Sequence, residues 1–294
     1  MDHLVTASAA HGTVSLVAGI TTDIVREAQL RHALAPTASA AVGRLISSAA
    51  LLGASLQGRE RITLQITGDG PIGSLVADAW SGEPGIVVAR GYARHPHADI
   101  PLNDRGKFDV AGVIGTGMLQ VTKSYEIGQP YNGVVPLVSG EIGDDIASYL
   151  LNSQQIPSVV AVGVLANPSG IVAAGGIIAQ LMPGADEGTI AALEAAAQSM
   201  PPVTTQIADG ADAQALLHAI AGSLELKMFD RFAVEFGCQC TLEKVEVALL
   251  GLGRDELKKI ASEQPSTEAT CEFCKRQYVL SSSDVTNLVA RLDA

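Results

Sequence analysis

The run Ile62-Thr63-Leu64-Gln65-Ile66-Thr67-Gly68-Asp69-Gly70-Pro71-Ile72-Gly73 decides the fold class. Its first half alternates apolar and polar side chains, the period-two pattern of a strand with one buried face. Its second half carries Gly68, Gly70 and Gly73 at the spacing of a dinucleotide-binding turn. Pro71 interrupts that turn, and residues 74–80 read as another strand where a phosphate-binding helix would have to start. The run is therefore a turn between two strands, and a nucleotide-binding parallel sheet is not indicated.

Outward from this point, short strands and helices mix. Residues 13–20 read as a strand, followed by helices over 22–34 and 37–56. In the second helix Val42, Leu45, Ala49, Leu52 and Leu56 recur at spacings of three and four, with Thr37 expected as its N-cap. Residues 85–91 and 117–125 read as strands, 140–151 as a helix, and 159–165 with 170–181 as a hairpin turning through Asn167, Pro168 and Ser169. Neighbouring strands with a few helices predict an α+β fold: an N-terminal mixed sheet-and-helix domain over 1–184, a helical linker over 185–230 and a small C-terminal zinc-binding domain over 231–294.

The linker begins where composition changes, after Met182-Pro183-Gly184, and is rich in alanine. Ile190, Leu193, Ala197 and Met200 share one helical face, which Pro201 and Pro202 end; Leu216, Leu217, Ile220 and Leu224 form a second stripe. Short alanine-rich helices bury little area at about 25 cal/mol per Å² of apolar surface, so their stability depends on what they dock against.

All four cysteines lie in the C-terminal segment: Cys238-Gln239-Cys240, then 30 residues, then Cys271-Glu272-Phe273-Cys274. Two close pairs of soft thiolates suit a closed tetrahedral site of four sulfurs, the coordination zinc accepts, and the ferredoxin spacings of iron–sulfur ligation are absent. Thr241 is placed to cap a helix carrying Leu242, Val245 and Leu249 that ends near Gly251 or Gly253. Leu257 and Ile260 mark a second helix, and Val285, Leu288, Val289 and Leu292 a third. So few large apolar residues leave the module marginal without a metal. Phe229, Phe232, Phe236 and Phe273 are expected to fill its small core or its junction with the linker. A C-x-C pair closes only a small, strained disulfide ring. Structural zinc contributes about 10–16 kcal/mol, whereas a three-residue disulfide loop contributes about 1–2 kcal/mol. Exchanging the metal for local disulfides should unfold the module.

Composition bounds the remaining possibilities. Of 294 residues 47% are apolar and 17% charged, which supports a large core. The 19 basic residues against 31 acidic ones give a net charge of −12, and residues 231–294 hold no basic excess, so a nucleic-acid binder is disfavoured. The first basic residue is Arg26, and the most apolar stretch, 37–56, contains Arg44 and several Ser and Gly residues. Neither a secretory signal nor a membrane span is indicated, and a cytoplasmic protein is expected. In that reducing compartment clustered cysteines serve as metal-binding or redox-active thiols rather than as a disulfide framework. No P-loop, G-x-S-x-G elbow or H-E-x-x-H helix is present. His95 and His97 flank Pro96 and read as a solvated loop, and the C-x-x-C follows a polar segment rather than a thioredoxin-like strand. No catalytic residue is assigned. The alternative to a binding protein is an enzyme of unidentified activity with a purely structural zinc module.

The cysteine module, together with the runs at 66–73, 89–92 (Ala89-Arg90-Gly91-Tyr92), 131–145 (Tyr131-Asn132-Gly133-Val134-Val135 onward), 149–157 and 174–176 (Ala174-Gly175-Gly176), resembles the heat shock protein 33 family. The resemblance implies a redox-regulated, ATP-independent holdase, not an enzyme, acting in stress. It implies one zinc per reduced chain held by Cys238, Cys240, Cys271 and Cys274. Peroxide with heat, or hypochlorite, would then link Cys271 with Cys274 and next Cys238 with Cys240, releasing zinc and unfolding the module and linker. It further implies an oxidised homodimer that holds unfolding client proteins and passes them to ATP-dependent chaperones, with no nucleic-acid or membrane partner.

Overall fold

Ten stretches rich in β-branched and small apolar residues pair into one sheet among the described residues, 1–292, of the computed structural model. They are β1 (His3–Ala9), β2 (Val14–Ile20), β3 (Arg61–Gly68), β4 (Ser74–Ser81), β5 (Ile86–Ala93), β6 (Gly117–Ser124), β7 (Tyr131–Pro136), β8 (Ser158–Asn167), β9 (Gly170–Leu181) and β10 (Leu226–Phe236). Their order is β7-β6-β3-β4-β5-β10-β1-β2-β9-β8, and every pair is antiparallel except β5 with β10. The alternation that identifies β3 is realised: Ile62, Leu64 and Ile66 are buried, while Thr63, Gln65 and Thr67 face the other way. The fold is α+β.

Seven helices flank this sheet: α1 (Thr22–His32), α2 (Pro36–Gly53), α3 (Val110–Ile114), α4 (Gly143–Gln154), α5 (Glu187–Ser199), α6 (Val203–Ala208) and α7 (Ala213–Ala221). The expected N-cap of α2 is corrected. The helix starts at Pro36, whose fixed φ suits the first turn, with Ala35 as N-cap. Thr37 sits inside, where its hydroxyl donates to Asp99 Oδ1 at 2.6 Å. α2 is buried on almost every side, since it packs on β4, β5, β8 and β9 and touches α1, α3 and α4.

The pleat sorts apolar residues to two faces. On one, Leu4, Ile66, Leu75 and Ile178 join α1, α2 and α4 in the larger core. On the other, β1, β2 and β9 present Val5, Ala7, Val14, Leu16, Ala18 and Ile177, and helices α5–α7 cover them with Leu193, Val203, Leu216, Leu217 and Ile220. Those helices occupy the segment expected to be the linker. The same sheet face turns polar across β3, β4 and β5. There the buried Asp78 accepts hydrogen bonds from Thr63 at 2.8 Å and Arg90 at 2.8 Å, and Arg61 and Arg90 flank the Trp80 ring.

By its contacts the chain divides into two units, Met1–Phe236 and a second beginning at Gly237. The division therefore falls beyond residue 231, because β10 carries the chain across the sheet between β1 and β5. Phe232 and Phe236 accordingly pack on the larger core of the first unit and Phe229 is exposed, which corrects their expected place in the cysteine module.

The second unit consists of α8 (Leu242–Leu250), α9 (Arg254–Glu263), β11 (Ser266–Thr270), β12 (Gln277–Ser281) and α10 (Ser282–Arg291). Its buried core is Leu257, Leu280, Val285, Leu288 and Val289. Among the described residues no helix is long and apolar enough to cross a membrane.

Candidate metal centre

Cys238 and Cys240 lie on the irregular segment between β10 and α8. Thr241 caps α8 by accepting the Lys244 N–H, and Lys244 Nζ reaches back to the Gln239 carbonyl at 2.6 Å, which ties the C-x-C segment to the first helical turn. Cys271 and Cys274 lie on the turn between the antiparallel strands β11 and β12. The Cys271 N–H donates to Arg276 O at 2.9 Å and the Lys275 N–H to Cys271 O at 2.8 Å; Lys275 takes a left-handed φ of 57° to close the turn.

These two segments bring all four sequence-predicted cysteines together. Every sulfur lies within 4.8 Å of the others, with Cys238–Cys271 at 3.7 Å and Cys240–Cys274 at 3.4 Å. None of the four is in a disulfide, and Cys274 is buried. A tetrahedral zinc site with bonds of about 2.3 Å has sulfur–sulfur edges of about 3.8 Å, so the donor set and its spacing suit such an ion.

The electrostatics give the cluster a reason to bind a cation. Burial raises the Cys240 thiol, but hydrogen bonds from Tyr278 and the three neighbouring sulfurs outweigh it and hold the group down at about 7. Cys274 is pushed up to about 12, chiefly by burial and also by the neighbouring sulfurs, against a backbone hydrogen bond from Arg276. Cys240 and Cys274 therefore do not ionise together unaided. The four sulfurs would be relieved of that conflict by holding a dication, which would favour their deprotonated form.

One contact of the sulfur cluster is not legible from the cysteine spacing. Tyr278 Oη donates to Cys240 Sγ at 3.1 Å. Its signal is the parity of β12, where Tyr278 and the buried Leu280 share one face and the exposed Gln277 and Val279 the other.

Elsewhere the expected exclusions agree with the geometry. The Gly68–Gly73 turn has spent the N–H groups a phosphate would need: Gly70 donates to Ile114 O at 2.9 Å, Ile72 to Val113 O at 3.1 Å and Gly68 to Gly73 O at 2.9 Å. A Cβ at Gly68 would fall on the Ile114 carbonyl oxygen, which accounts for glycine there. His95 and His97 are exposed. Among the described residues the four cysteines are the only group of three or more His, Cys, Asp or Glu within reach of one ion.

Comparison with known proteins agrees along the whole chain. A family model described as "Hsp33 protein" matches residues 2–281. The 33 kDa chaperonins of Bacillus cereus (strain AH187) and Bacillus anthracis (strain CDC 684 / NRRL 3495) are each 41% identical over 293 residues, covering 99% of both chains. The crystal structure of a 33 kDa chaperonin, a heat shock protein 33 homologue from Thermotoga maritima, superposes with a TM-score of 0.88 at 33% identity, again over 99% of each chain.

Proposed function

The chain belongs to the heat shock protein 33 family of chaperones, and from that membership we propose that it is a redox-regulated, ATP-independent holdase and not an enzyme. The observation that carries the reading is the convergence of four cysteines, none in a disulfide, on one point in a unit whose buried core among the described residues is five aliphatic side chains. In the reduced protein Cys238, Cys240, Cys271 and Cys274 hold one zinc ion, which supplies most of that unit's folding energy. Oxidation to Cys271–Cys274 and Cys238–Cys240 disulfides removes the four thiolate ligands, and two short disulfide loops do not replace the lost stability.

The consequence reaches the first unit through the chain itself. Cys238 lies two residues beyond the end of β10, and α5–α7 precede β10. Helices α5–α7, at the heart of the expected linker, act as a metastable cover that precedes β10 and the switch unit beginning at Gly237. These short helices shield the apolar face of β1, β2 and β9, and release of that cover exposes Val14, Leu16 and Ile177 to unfolding clients. The active form is a cytoplasmic homodimer that holds such clients until ATP-dependent chaperones receive them, with no nucleic-acid or membrane partner.

The test is light scattering from a heat-denaturing client protein. Protein treated with peroxide at mildly raised temperature should suppress aggregation at near-stoichiometric amounts, and the reduced protein should not. Equal behaviour of the two forms contradicts the proposal.

A further inference from the structure

Tyr278 stands out among the groups around the sulfur cluster because it is tied to both protein and site. Its ring is half-buried against the core of the second unit, and its strand is fixed by the pairing of Tyr278 with Ala269. From there its hydroxyl donates to Cys240 Sγ at 3.1 Å. The exposed, positively charged Arg276 side chain interacts electrostatically with the same phenol, which favours donation of the O–H to sulfur.

A hydrogen bond to a thiolate withdraws charge from sulfur. It stabilises the ionised ligand, fixes its direction, and lowers the electron density available for attack on an electrophile. We propose that Tyr278 is a positioning residue of the redox switch: its hydroxyl, backed by Arg276, holds the Cys240 sulfur in the metal site and slows its attack on peroxide. This rests on the reading above that the four sulfurs share one metal ion and are oxidised in pairs.

The step it slows is a two-electron oxidation. The Cys240 sulfur attacks one peroxide oxygen, the O–O bond breaks, hydroxide leaves, and sulfur becomes a sulfenic acid. The Cys238 thiol then displaces the sulfenic oxygen, which departs as water as the S–S bond forms; two sulfurs lose one electron each and one peroxide is reduced.

Tyr278→Phe removes one oxygen atom and keeps the ring, so a role limited to packing predicts parental behaviour. The proposal predicts zinc affinity about 10-fold weaker or more in chelator competition. It predicts several-fold faster zinc release by peroxide in the full-length protein, with Cys240 the first cysteine to become resistant to alkylation. It also predicts a displaced thiolate-to-metal charge-transfer band in the cobalt-loaded protein. Arg276→Gln should move affinity and release in the same direction by a smaller factor. If the parent binds and releases zinc while Tyr278→Phe stays within about twofold in affinity and release, with its cobalt band unmoved, the proposal is wrong and the zinc-switch reading stands. A parent chain that binds no zinc overturns both.

Discussion

Two buried carboxylates near helix N-termini differ in how completely the protein satisfies them. Asp145 is fully buried in the first turn of α4. Its Oδ1 accepts the N–H groups of Val138, Ser139 and Gly140 at 2.7, 3.1 and 3.3 Å, and its Oδ2 accepts that of Ile142 at 2.9 Å. It fixes the entry into α4, where Ile142 holds a φ of 68°. Asp145→Ala leaves those donors buried without an acceptor and should cost about 3 kcal/mol or more of denaturation free energy, each charge-assisted bond contributing about 1.5–3 kcal/mol; a loss below about 1 kcal/mol contradicts this role. Asp2 is less well served. Its Oδ2 accepts the Ile24 N–H at 2.8 Å, but its Oδ1 is buried without a partner. Burial pushes its carboxyl up from 3.8 to about 6, against the backbone hydrogen bonds of Asp23 and Ile24. Because the folded protein holds this proton more tightly than the unfolded chain, stability is greatest below about pH 4 for this group and falls as pH rises to about 6. The loss is on the order of 3 kcal/mol. Denaturant titrations between pH 4 and 7 should show that fall in the parent and not in Asp2→Asn; parallel profiles would count against it.

Among the elements, α7 is the one that the proposed switch must release in the first unit. Leu216, Leu217 and Ile220 are fully buried against β1 and β2, so Leu216→Ala should loosen the cover by about 2–5 kcal/mol. The measurable outcome is a lower peroxide dose for binding of an apolar fluorescent dye, and a dose curve identical to the parent's would contradict the assignment. The α7 stripe is legible from the spacing of Leu216, Leu217 and Ile220, as β3 is from its alternation, because each element turns one apolar face to a neighbour. β10 is not legible. Its sequence interrupts apolar residues with Lys227, Asp230, Arg231 and Glu235, and it is a strand because β1 and β5 supply its hydrogen-bond partners. The same reason hides the fate of Phe232 and Phe236, whose partners come from distant parts of the chain. In the metal centre the four cysteines are legible because chelation demands close pairs. Tyr278 is not, since its approach to Cys240 depends on how β11 and β12 fold the second pair back onto the first.

For the whole molecule, the two units differ in what holds them together. Met1–Phe236 contains two extended apolar cores on opposite faces of one sheet, while the unit beginning at Gly237 has five buried aliphatic residues and a cluster of four thiols. Metal removal under reducing conditions should therefore abolish protection against amide exchange after residue 237 and leave β3, β4 and α2 protected; uniform loss across both units would contradict that division. The proposed function joins cysteine oxidation to client binding through one metal site. It is tested by following zinc release and suppression of client aggregation in the same sample during treatment with peroxide at mildly raised temperature. About one zinc should be freed per chain, and suppression should grow with its release. Zinc release with no gain in suppression, or full suppression with zinc still bound, would contradict it.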